Sequence, residues 1–89
     1  MARHSLRIKP TAAKEIEAIE PKVVRKKGVE RILALADNPR PPGCEKLSGH
    51  PERYRVRQGV WRTVYAIKDQ ELLVFVVKVG HRRGVYRVK

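Results

Sequence analysis

Arg53, Arg55 and Arg57 recur at every second position, Arg62 follows after a short break, and Lys78, His81, Arg82, Arg83 and Tyr86 gather near the end of the chain. In an extended strand, alternate side chains point the same way, so the first three guanidiniums share a face. Guanidinium forks match phosphate oxygens. An imidazole titrates near neutrality, and a phenol stacks on a base or moves a proton. Such a set suits RNA cleavage without a metal, in which the 2′-hydroxyl attacks its own adjacent phosphate once charge is stabilised and protons are moved. Alternating arginines are also what a solvated strand face looks like. Taken alone, these residues read as an RNA- or DNA-binding α+β domain.

Other chemistries find no support. Ser5 and Ser48 lack a nucleophile-elbow context, and there is no Gly-rich phosphate loop. His4, His50 and His81 are spread too widely for a metal motif, and a lone Cys44 beside Pro41, Pro42 and Gly43 forms neither a disulfide nor a thiolate site. Paired-carboxylate or two-metal catalysis needs acids on the strands, which carry almost none. No cofactor, metal or small-molecule ligand is expected.

The charge balance points the same way. Across 89 residues, 21 Lys and Arg face 9 Asp and Glu, a net charge of +12. That excess implies a polyanionic partner, nucleic acid before membrane, because no basic amphipathic helix with an aromatic apolar face is evident. With no apolar leader or membrane-length run, a cytoplasmic protein is expected. The length suits a single domain over 1–89 whose modest core leans on a partner.

The elements that must position these residues fall into two halves. Leu6 and Ile8 alternate with Arg7 and Lys9, predicting a strand over His4–Lys9 closed by Pro10. Thr11 is the expected cap of a helix to about Glu20, with Ala12, Ile16 and Ile19 on one face. Pro21 fits the first turn of a second helix to about Asp37, its stripe made by Val24, Ile32, Leu35 and Ala36. The two form an antiparallel hairpin with Lys22, Arg25, Lys26 and Lys27 outward. Asn38–Gly43 is a loop with three prolines. Three strands follow: Arg53–Arg57, then Trp61–Lys68 with Trp61, Thr63, Tyr65 and Ile67 inward, then Leu72–Val77, whose unbroken apolar run predicts cover on both faces. Gln58-Gly59 and Asp69–Glu71 are the turns. The class is α+β: an N-terminal strand, a helical hairpin and a three-stranded antiparallel meander in one small sheet, with the arginine face left open.

Four segments occur in a telling order: Lys46-Leu47-Ser48-Gly49, Tyr54-Arg55-Val56-Arg57, Gly59-Val60-Trp61-Arg62-Thr63-Val64-Tyr65 and Val79-Gly80-His81-Arg82-Arg83-Gly84-Val85-Tyr86. Together they resemble the RelE family of the RelE/ParE toxin superfamily, over nearly the whole chain and in the same order of elements. The resemblance implies a type II toxin that cuts mRNA on the ribosome and so inhibits translation. It also implies a cognate antitoxin whose acidic, helical segment covers the basic surface. By position, Arg62 matches the arginine that stabilises the phosphate. Arg82 matches the one that stabilises or protonates the leaving 5′ oxygen. Tyr86 matches the tyrosine that stacks on the base and is linked to activating the 2′-hydroxyl.

Arg55 and Arg57 stand where the well-known member carries two lysines. Arginine effectively never loses its proton, so these two act as phosphate clamps beside Arg53, Lys78 and Arg83, and the general base is Tyr86 or His81. Two alternatives stay open: a ParE-like binding protein that poisons DNA gyrase, and an inactive nucleic-acid-binding homologue.

Overall fold

The computed structural model describes residues 3–49 and 51–81. Strand β1 spans Ser5–Ile8 and helix α1 Pro10–Glu17. Proline ends the strand because it has no N–H, and it opens the helix because that N–H is not needed in a first turn. Lys9, with no side-chain hydrogen bond, is therefore the N-cap, and Thr11 lies within the helix instead of capping it. Helix α2, Lys22–Ala34, starts from Pro21. Both helices stop about three residues short of their expected ends. Bonds of the i to i−3 type (Ile19 N–H to Ile16 O; Leu35 to Ile32, Ala36 to Leu33, Asp37 to Ala34) tighten the chain into turns there. Ile19, Leu35 and Ala36 are buried all the same, so the predicted apolar stripes reach the core from turns as well as helices.

The strand half adds β2, Glu45–Lys46, β3, Arg53–Gln58, β4, Trp61–Lys68, and β5, Leu73–His81. They form one sheet in the order β1-β5-β4-β3-β2. The expected meander is its middle, with β3, β4 and β5 antiparallel. The sheet has five strands rather than three: β1 joins β5 in parallel, and β2 pairs antiparallel with β3. Gly59, at φ +59°, leads the two-residue loop between β3 and β4, where a left-handed residue matches the strand twist.

One face of the sheet carries Val56, Tyr65, Ile67, Val74, Val76 and Val79, packed with Ala12, Ile16, Ile19, Ile32 and Leu35 from the helical half. Trp61 packs partly against this core, on the inward face as expected. β5 is not covered on both faces: its residues alternate buried and half-buried, since the helices lie on one side only.

Candidate nucleic-acid interface

Cross-strand pairing fixes which side chains meet. Arg53 stands opposite Ala66, Arg55 opposite Val64 and Arg57 opposite Arg62. On β5, Lys78 stands opposite Val64 and Gly80 opposite Arg62. Directly paired residues share a face, so Arg53, Arg55, Arg57, Arg62 and Lys78 line the side of the sheet away from the helices. Like charges placed directly opposite, as at Arg57 and Arg62, repel, and an anion on that face relieves the repulsion. Gly80 presents no side chain beside the half-buried Arg62.

The position of Lys78 depends on an irregularity. The register between β4 and β5 shifts between Val64 and Tyr65: Val64 pairs with Lys78 but Tyr65 with Val76, so Val77 is an extra residue. Strict alternation after Val74 and Val76 would turn residue 78 into the core. The bulge instead sends Val79 inward and Lys78 out to the arginine face. There Lys78 bonds the carboxylate of Glu15 from α1, whose other oxygen accepts the Val79 N–H at 3.0 Å.

His81, the last residue of β5, pairs with Trp61 and meets its ring edge-on, with centroids 6.0 Å apart. It therefore shares the face of Trp61, not that of Arg62. Of the residues singled out in the sequence, the structure brings together Arg53, Arg55, Arg57, Arg62 and Lys78. It sets exposed His81 on the other side of the sheet end, and Arg82, Arg83 and Tyr86 lie outside the described residues.

Two acids that no sequence pattern marks join these cations. Glu15 is one. The other is Glu45, directly opposite Arg55. Its Oε1 accepts a hydrogen bond from Arg55 Nη2 at 2.6 Å and lies 3.6 Å from Arg57 Nη2. The Arg55 hydrogen bond, with the Arg55 and Arg57 charges, holds this carboxyl below the usual glutamate range. The two arginines are therefore not bare clamps. No periodicity marks a two-residue strand, so only the pairing itself reveals Glu45.

A network at the other end fixes the chain that leads into β2. Arg40 binds Asp69 through Nη1 and Nη2, at 3.3 and 2.8 Å, and stacks over Tyr54 with its guanidinium carbon 5.1 Å from the ring centre. Tyr54 stacks on Tyr65 at 6.1 Å, and the Tyr65 hydroxyl donates to the Pro39 carbonyl at 2.7 Å. Burial pushes the Tyr65 phenol well above its ordinary range, so it stays protonated as that donor. Among the described residues, no group of three or more His, Cys, Asp or Glu stands where it could hold a metal ion, and no helix is long and apolar enough to cross a membrane.

The family model for the ParE toxin of type II toxin–antitoxin systems, parDE, matches residues 6–86. The chain belongs to the RelE/ParE toxin family. Among relatives in that family, a putative RelE-like toxin protein of Escherichia coli is 29% identical over 82 residues, covering 90% of this chain and 84% of the relative. The mRNA interferase toxin RelE of E. coli K12 is 33% identical over 61 residues, covering 66% of this chain and 63% of the relative. The fold agrees. A mutant of E. coli RelE in the free state superposes with a TM-score of 0.74 at 26% identity, covering both chains fully. RelE from the intact E. coli RelBE toxin–antitoxin complex does so with 0.74 at 28% identity, over 88% of this chain and 95% of that one.

Proposed function

We propose that this toxin is a ribosome-dependent endoribonuclease that cleaves mRNA without a metal. The observation that carries the reading is Arg62 directly opposite Arg57, beside Arg55, on the sheet face the helices leave open. Three guanidiniums there suit the extra negative charge of a phosphate under attack by the neighbouring 2′-hydroxyl, where electrostatic stabilisation is commonly the largest contribution. Arg62 stabilises the phosphorane, and Arg53, Arg57, Lys78 and Arg83 steer and hold the backbone. Arg82 stabilises the leaving 5′ oxygen, while Tyr86 stacks on the base next to the cut and His81 adds an RNA contact at the end of β5. The name of the E. coli relative, mRNA interferase, supports the activity.

The partner proposed for the resting state is a cognate antitoxin with an acidic, helical segment, and a solved RelE–RelB complex among the structural relatives supports it. The working partners are the ribosome and mRNA, in the cytoplasm. The test is purified toxin with ribosomes programmed by a defined mRNA. Cleavage should leave a 2′,3′-cyclic phosphate and should disappear when the scissile ribose is 2′-deoxy. The ParE description of the family model favours one second reading, a toxin that acts on DNA gyrase. Inhibited supercoiling without mRNA cleavage would select it.

A further inference from the structure

The cleavage reaction needs a group to take the 2′-hydroxyl proton, and arginines at 55 and 57 cannot supply one at any ordinary pH. His81 is separated from Arg62 by the sheet itself. The arginine face does hold a carboxylate. Glu45 is half-exposed, within 2.6 Å of Arg55 and 3.6 Å of Arg57, and Arg57 is the residue directly opposite Arg62. It therefore lies next to the pair of guanidiniums that would grip the scissile phosphate. Two other acids are held by partners other than Arg55 and Arg57: Glu52 ion-pairs with Lys68 at 3.0 Å, and Glu15 holds both Lys78 and the Val79 N–H.

Resting on the endoribonuclease reading, we infer that Glu45 is the general base of the cleavage, standing ionised between the two arginines until RNA arrives. When phosphate oxygens take over the Arg55 and Arg57 donors, the carboxylate is freed beside the ribose of the same nucleotide. It accepts the 2′-hydroxyl proton as the 2′ oxygen bonds to phosphorus. The P–O5′ bond breaks, leaving a 2′,3′-cyclic phosphate, and water protonates the departing 5′ oxygen. The hydroxide so formed takes the proton from Glu45 and restores the carboxylate. The arginines thus have two successive partners, which explains why an acid sits among cations on a face otherwise built for anions.

A carboxylate that merely occupied the arginines would behave in the opposite way, and one substitution separates the two. Glu45→Gln removes the charge but keeps the shape on a half-exposed edge strand. The experiment measures single-turnover cleavage on programmed ribosomes, together with toxin retention on ribosomes carrying the uncleavable 2′-deoxy mRNA and the melting temperature. The expected result is retention equal to or tighter than wild type, because a competitor for the arginines is gone. Cleavage should be slower by about 100-fold or more, the usual contribution of a general base. Glu45→Asp should keep part of the rate. Cleavage by Glu45→Gln at or above the wild-type rate overturns the inference and leaves the endoribonuclease reading intact. Cleavage, retention and melting temperature falling together assign Glu45 to holding the fold and overturn it as well. A wild-type protein that cuts no mRNA sinks the endoribonuclease reading, and the inference with it.

Discussion

The Val79 N–H on β5 donates to Glu15 on α1 at 3.0 Å, in a stretch of strand that has lost its neighbour. β1 ends at Ile8, opposite Val76, so beyond that point the outer edge of β5 faces α1 instead of another strand. A backbone donor left there without an acceptor is costly, and a side-chain carboxylate replaces the missing ladder bond. The same carboxylate holds Lys78 at the rim of the arginine face.

Glu15→Ala should therefore destabilise the fold by about 1–3 kcal/mol, the range for leaving a partly buried donor unsatisfied. Glu15→Gln, which still accepts from Val79 but no longer pairs with Lys78, should cost less. Urea unfolding gives the magnitudes. Amide exchange should quicken first at Val79, and uniform quickening along β5 would argue against an edge-capping role.

Tyr65 makes a second local prediction. The side chain is fully buried, and its hydroxyl holds the Pro39 carbonyl at 2.7 Å, tying the loop after α2 to the sheet. Tyr65→Phe should cost about 1 kcal/mol through the lost bond alone. Tyr65→Ala should cost about 3–5 kcal/mol by opening a cavity beneath both helices. Thermal melts of the two variants check the ratio.

Local patterns carried far. The alternation of Arg53 to Arg57 places the arginines on one face, Gln58-Gly59 marks the hairpin, and the shared face of Tyr65 and Ile67 marks them as core. What stayed hidden is non-local. β1 pairs with a strand 68 residues away (Ser5 with Leu73), and nothing in the four residues of β1 encodes that choice. β2 is two residues long, too short for any period, so Glu45 falls in no element that the sequence predicts. Lys78 interrupted the apolar run and ended the predicted strand at Val77, whereas a bulge let β5 continue to His81. His81 belongs by type to a cationic set with Arg62, but the antiparallel pairing of Trp61 with His81 and of Arg62 with Gly80 puts the two on opposite faces.

Acid should weaken the fold in a defined window. The hydrogen bonds from Arg40 hold Asp69 below its ordinary range, with His4 Nε2 3.4 Å away adding to the effect. A carboxylate depressed in the folded state contributes stability that is fully present above its unfolded value, about 3.9, and is lost as pH falls through the lower folded value. Melting temperature should thus hold steady from pH 7 to 5 and then fall below about pH 4. Asp69→Asn should show a flatter acid limb, offset by a slightly lower plateau. Because Asp69 is more than half-exposed, the difference should also shrink in high salt. Identical acid limbs for the two proteins would assign the loss to other carboxylates.

Arg57 and Arg62 face each other across two strands, yet they should fail differently when removed. Arg57 is 58% exposed and only loosely held by Glu45, at 3.6 Å, which suits a residue that meets the RNA backbone from solvent. Arg57→Ala should lower affinity for a short single-stranded RNA in a salt-dependent manner, reducing the slope of log K against log salt by about 0.7, the value for one phosphate contact. Arg62 is half-buried across from Gly80, so its side chain has fewer positions open to it than that of exposed Arg57. A preorganised donor of that kind contributes mainly where charge develops, so Arg62→Ala should slow single-turnover cleavage by about 10²–10³-fold while binding changes little. Filter binding across a salt series and single-turnover assays on programmed ribosomes separate the two effects. Equal losses of affinity and of rate in both variants would mean that the face binds RNA uniformly and contains no distinct phosphate-activating arginine.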